Sequence, residues 1–193
     1  GSRRVRILLA LVIVAALFGM PYQVLLPVFA RDVLGAGSRG LGLLMGAAGL
    51  GAVGGALYLA ARRSHRRSAP VVAAALAAFG GGLVAFAFSR TMALSLACMV
   101  VVGAALIVQM ATSNTLLQLS APGDLRGRVI SLYLLAFATA APIGALSAGW
   151  IARRVGAPWT VAGGGAVCLL AAGAFATRIP SLRRAAAGRE RSD

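Results

Sequence analysis

The sequence predicts an all-α integral membrane protein of six transmembrane helices, and three observations carry that expectation. Six stretches of about 18 residues or more contain no Asp, Glu, Lys, Arg or His: residues 7–29, 40–61, 70–88, 93–116, 129–151 and 158–177. Hydrophobic residues make up 60% of the 193 and charged residues only 12%, where a soluble domain is about half apolar and a quarter charged. The charges are also one-sided. Basic residues number 19, all of them arginine, against 4 acids, for a net charge of +15, and they gather between the uncharged stretches. At a rise of about 1.5 Å per residue, each stretch crosses a hydrocarbon core of about 30 Å. Strands would be shorter and would alternate in polarity, so a barrel is excluded.

Taken in order, the first span carries Tyr22 and Gln23 between Pro21 and Pro27. Two prolines free backbone carbonyls and kink a helix, which lipid tolerates only beside protein or a water-filled cavity. The second span is glycine-rich, with Gly42 and Gly46, and Gly51 and Gly55, four apart and Gly49 and Gly54 extending the notch. Helices in lipid associate by close packing, so small residues of this kind predict helix–helix contact. The third span holds no Ser, Thr, Asn or Gln, but does hold Gly80-Gly81-Gly82.

The fourth span is the polar one. Gln109, Thr112 and Ser113 share one helical face, while Asn114, Thr115 and Gln118 share the other, closer to the membrane surface. Polar groups at membrane depth mark function, so Tyr22, Gln23, Gln109, Thr112 and Ser113 are the candidate cavity residues. For Gln23 and Gln109 two readings stand, an interhelical hydrogen bond that binds the bundle or the lining of a cavity. Pro142, Gly144 and Gly149 predict a bend with close contact in the fifth span, and Gly163-Gly164-Gly165 close contact in the sixth. Trp150 and Trp159 fall at span ends, where aromatic belts anchor helices.

Short connections make these spans one bundle over residues 1–178, followed by an Arg-rich tail over 179–193. The chain opens on Gly1-Ser2 rather than methionine, as an excised piece of a longer protein would, and no cleavable signal follows. Fourteen arginines lie on the side of the termini. Five lie opposite: Arg31, Arg39, Arg90, Arg153 and Arg154. Positive loops stay inside, so both termini are expected in the cytoplasm of a multi-pass cell-membrane protein in contact with the lipid bilayer. Arg153-Arg154 is the local violation. Because the arginines ring helix ends without interleaved aromatics, nucleic acid is not an expected partner.

Enzymatic chemistry finds no support. His65, the single histidine, sits among Arg62, Arg63, Arg66 and Arg67 with no acid near it in sequence. No acid falls inside an uncharged stretch, and Cys98 and Cys168 read as small core hydrophobes. No metal site or cofactor is expected. The loop Pro122-Gly123-Asp124-Leu125-Arg126-Gly127-Arg128 reads as a turn with Asp124 capping the fifth helix and the arginines holding one membrane side. Its alternative reading is a latch, in which Asp124, Arg126 or Arg128 bonds a neighbouring helix end in one conformational state.

Several segments resemble a known family: residues 25–30 (LLPVFA), 40–45 (GLGLLM), 114–118 (NTLLQ) and 124–133 (DLRGRVISLY). They are similar to the carboxy-terminal half of major facilitator superfamily exporters, in particular the enterobactin and macrolide group of drug–proton antiporters. The resemblance covers nearly all of residues 3–180. It implies two inverted three-helix repeats, with the first helix of each, here the first and fourth spans, lining a central cavity. It also implies proton-coupled efflux of small amphipathic molecules or siderophores by alternating access, with an amino-terminal six-helix half as partner. The family's proton-coupling acids usually sit in that other half. The alternative is a six-helix membrane scaffold or assembly subunit, or an incomplete transporter without transport of its own. A weak repeat is visible in Gly55-Ala56-Leu57 and Gly144-Ala145-Leu146, each followed by Ala-Arg-Arg, at 61–63 and 152–154.

Overall fold

Every uncharged stretch is helical. The fold is seen in a computed structural model that describes residues 2–62, 68–120 and 126–187. The first span is a composite of helix α1 (Ser2–Val14), a π-helical turn (Ala15–Gly19), helix α2 (Tyr22–Val28) and a second π-helical turn (Phe29–Val33). Its prolines explain the break. Pro21 has no N–H for the carbonyl of Leu17, nor Pro27 for that of Gln23, so each removes one bond from the ladder; the helix breaks at Pro21 and continues through Pro27 inside α2. The chain widens its register instead: the N–H of Met20 donates to the Ala15 carbonyl and that of Leu34 to the Phe29 carbonyl, both at 2.9 Å.

This span runs past its expected end at residue 29 as far as Val33. It does so by taking Arg31 and Asp32, ion-paired at 2.8 Å and exposed, into its last turn. Gly35, at φ 62°, then reverses the chain in the left-handed conformation that ends helices. The remaining spans are α3 (Gly37–Ala61), α4 (Ser68–Phe88), α5 (Met92–Ser120), α6 (Arg126–Val155) and α7 (Ala157–Ala187). Gly156, at φ 91°, makes the one-residue turn between α6 and α7. Helix α7 continues past residue 178, so the expected start of the tail at 179 does not interrupt the backbone. Residues 188–193 lie outside the described residues.

Packing follows the glycines. Helix α4 sits between α5 and α7, α3 lies along α5, and α6 lies along the first span. Where α3 crosses α5, side chains at Gly51 and Gly55 would strike the carbonyls of Val100 and Ala104, and one at Gly103 the carbonyl of Ala48. Where α6 and α7 meet the first span, Gly144 and Gly164 face the carbonyls of Leu17 and Phe18 in the same way. Helices α4 and α7 meet reciprocally, Gly80 on the Gly165 carbonyl and Gly165 on that of Gly80.

These contacts expose the repeat. The second span packs by Gly55 on the fourth, and the fifth by Gly144 on the first, while the third and sixth pack on each other. That is the pattern of two inverted three-helix repeats. The segments that echoed each other in sequence, at Gly55 and Gly144, occupy equivalent crossings. Aromatic side chains fill the centre, with Phe29 against Phe86 at a ring separation of 4.6 Å and Tyr22 edge-on to Phe79 at 6.3 Å.

One expectation needs correction. The glycines of the second span do not form a single notch. Gly51 and Gly55 are packed, whereas a side-chain carbon at Gly42, Gly46, Gly49 or Gly54 would meet nothing within 4 Å. Gly42 and Gly51 are about two and a half turns apart, hence on opposite faces of the helix. Helix α3 therefore has two small-residue faces. One is buried on α5 and the other is open.

Candidate functional site

The α5 face expected from spacing is present and buried. Gln109, Thr112 and Ser113 are 1%, 6% and 0% exposed. Gln109 Nε2, Thr112 Oγ1 and Ser113 Oγ find no hydrogen-bond partner among the described residues. Burying an unpaired polar group costs about 1–3 kcal/mol, and a pure packing role would select leucine or alanine there. The interhelical hydrogen bond, one of the two readings for Gln109, is absent at its amide nitrogen. On the opposite face the polar groups are satisfied locally. Gln118 Nε2 donates to Asn114 Oδ1 at 3.3 Å, and Thr115 Oγ1 to the Ala111 carbonyl at 2.9 Å.

The candidate residues of the first span separate from this cluster. Tyr22 is buried and Gln23 is exposed on the surface of the six-helix unit, since adjacent residues on α2 point to different faces. Of the loop residues, Asp124 lies outside the described residues, Arg126 opens α6, and Arg128 is exposed in the first turn of that helix. Asn114 and Gln118 are half-buried.

Tyr22 faces a groove of about 270 Å³ bounded by the first span, α6 and α7, with Leu17, Gly144, Ile151, Thr160 and Gly163 among its walls. Two of its three hydroxyls bond their own helices. Ser147 Oγ donates to the Gly144 carbonyl at 2.9 Å and Thr160 Oγ1 to the Gly156 carbonyl at 2.8 Å, leaving Tyr22 in an otherwise apolar lining. A second groove of about 450 Å³ lies between α3, α4 and α5, beside Gly55, Tyr58, Val71 and Ala104. The repeat relates the two, the first span with α6 and α7 corresponding to α5 with α3 and α4. Sequence reasoning missed both grooves, and also the buried Ser89–Ser95 hydroxyl pair at 2.9 Å that closes the α4–α5 turn. One serine in a turn and another in a span carry no spacing that marks them as a bonded pair.

Cys98 and Cys168 are both free and buried, and no group of metal-ligating side chains occurs among the described residues. Six antiparallel spans in two inverted repeats, with unpaired polar side chains held at membrane depth, define a multi-pass membrane protein of the transporter class. The chain belongs to the transmembrane secretion effector family of the major facilitator superfamily, which matches residues 1–192. No curated protein and no solved structure matched it.

Proposed function

We propose that these six spans are the carboxy-terminal half of a proton-coupled exporter of the cell membrane. It moves small amphipathic molecules or siderophores by alternating access against an amino-terminal half, with both termini in the cytoplasm. The observation that carries this reading is the α5 face of Gln109, Thr112 and Ser113, three buried polar side chains with no partner among the described residues. Such groups are retained where a substrate, water or a rearranged neighbour completes them in another state.

A second half is supported by α3. Its open face, from Gly42 through Gly46 and Gly49, is built like the face already packed on α5, and lipid alone gives no reason for two such faces. Gln23, exposed here, comes to line the cavity once that half is in place. Tyr22 backs it from inside the unit. No carboxylate in the described spans lies deeper than Asp32, so the proton carrier belongs to the other half. Asp124, Arg126 and Arg128 fit a cytoplasmic latch that bonds a helix end in one state.

The test is export itself. Cells carrying the complete transporter with Gln109→Leu or Gln23→Leu should extrude a fluorescent amphipathic dye more slowly at unchanged protein level. Unchanged export in both variants removes these residues from the substrate path.

A further inference from the structure

We propose that the groove between the first span, α6 and α7 binds an anionic phospholipid, with an acyl chain in the groove and its headgroup on Arg154. The groove walls are largely apolar, and of its three hydroxyl side chains Ser147 and Thr160 donate to their own helices, leaving Tyr22. On α6, Gly144, Ser147 and Ile151 recur on the face that walls the groove, and Arg154 is the next residue on that face. From Gly144 to Ile151 the wall runs about 10 Å at 1.5 Å per residue, the reach of a segment of acyl chain.

The charge lies where the headgroup would be. Arg153 and Arg154 are exposed at the membrane end opposite the termini, and the Arg154 guanidinium is 4.1 Å from the Trp150 ring centroid. Trp159 stands at the mouth of the groove and is 65% exposed. These two arginines run against the charge asymmetry of the other loops; Arg153, nine residues beyond Gly144, points to the opposite face of α6, so an anion bound at the groove gives a reason for Arg154. Stacking on Trp150 holds Arg154 at the interface while leaving its donors available to phosphate.

Trp150 and Trp159 are the only tryptophans of the chain; Trp159 lines this groove and Trp150 carries the stacked Arg154. The full chain is reconstituted in phosphatidylcholine vesicles containing brominated phosphatidylglycerol or brominated phosphatidylcholine, and tryptophan quenching is titrated with each. The wild type should bind the anionic lipid with a preference of roughly fivefold, the attraction exerted by one arginine near a membrane surface. The double variant Arg153→Gln/Arg154→Gln should fall to parity, and Arg39→Gln, at the same membrane end, should keep the preference. Position 163 has open space for a side chain, so Gly163→Leu should fill the groove without disturbing the fold and reduce quenching by both lipids.

Equal quenching by the two lipids in the wild type overturns the proposal. So does a preference that survives loss of both arginines, or one that Arg39→Gln abolishes equally. Absence of quenching by either lipid means that protein covers the groove, and also overturns it. If Gly163→Leu fails to elute as a folded species, the arginine variants decide alone.

Discussion

The carbonyl of Leu17 occupies the place where a side chain on Gly144 would begin. Four residues further along, Pro21 has no N–H to offer that carbonyl. A proline break on one helix and a glycine on another thus meet at one carbonyl. The glycine lets the fifth span close on the backbone group that the proline has left without its usual helical donor. Close contact of this kind gives weak Cα–H···O attraction in addition to packing.

Enlarging Gly144 should therefore be costly. We expect Gly144→Val to destabilise the unit by about 1–3 kcal/mol through overpacking. Gly163→Ala, with open space on α7, should be neutral. Thermal stability in detergent, read as the loss of the monodisperse elution peak on heating, separates the two.

Pro21→Ala should couple to Gly144. Restoring the donor draws the Leu17 carbonyl back into the helix, so Gly144→Ala should cost less in the Pro21→Ala background than alone. A double-mutant cycle measures this, and additive effects would show that the proline and the glycine act independently.

The two small-residue faces of α3 should respond oppositely. Gly55→Leu drives a side chain into the Ala104 carbonyl and should abolish folding of the six-helix unit. Gly46→Leu and Gly49→Leu meet nothing within the unit and should leave its melting unchanged. In the complete transporter, Gly46→Leu and Gly49→Leu should prevent assembly of the two halves, measured by co-purification of halves expressed separately. Normal assembly would assign that face to lipid.

Gln109→Leu should move stability and transport in opposite directions. Removing an unpaired buried amide relieves a penalty on the order of 1 kcal/mol, so the melting temperature should rise while dye export falls. A variant that loses both is merely misfolded.

Topology is open to labelling. Because Cys98 and Cys168 are buried, new thiols can be read without background. A membrane-impermeant maleimide should reach Ser38→Cys from outside intact cells and His65→Cys only after the membrane is opened. The reverse pattern inverts the orientation.

Much of this was legible in the sequence because hydrocarbon is an unforgiving solvent. Uncharged length located all six helices, and the turn-by-turn angle grouped Gln109, Thr112 and Ser113 on one face, where the structure has them. The misses share a cause. By charge alone Arg31 and Asp32 close the first span, but as an exposed ion pair they ride in its final turn. Gln23 and Gln109 are the same residue type on the first helix of each repeat, yet one is exposed and the other buried. Only the placement of neighbouring helices decides that difference. The glycines of α3 are likewise alike until α5 is laid against one side of the helix.

The reciprocal contact of Gly80 and Gly165 limits what this crossing admits. The space of each missing side chain is taken by the other residue's carbonyl, so enlarging either one alone pushes the two backbones apart. No compensating reduction is open on the far side, because glycine is already the smallest residue. The α4–α7 crossing can therefore be loosened from either helix and tightened from neither.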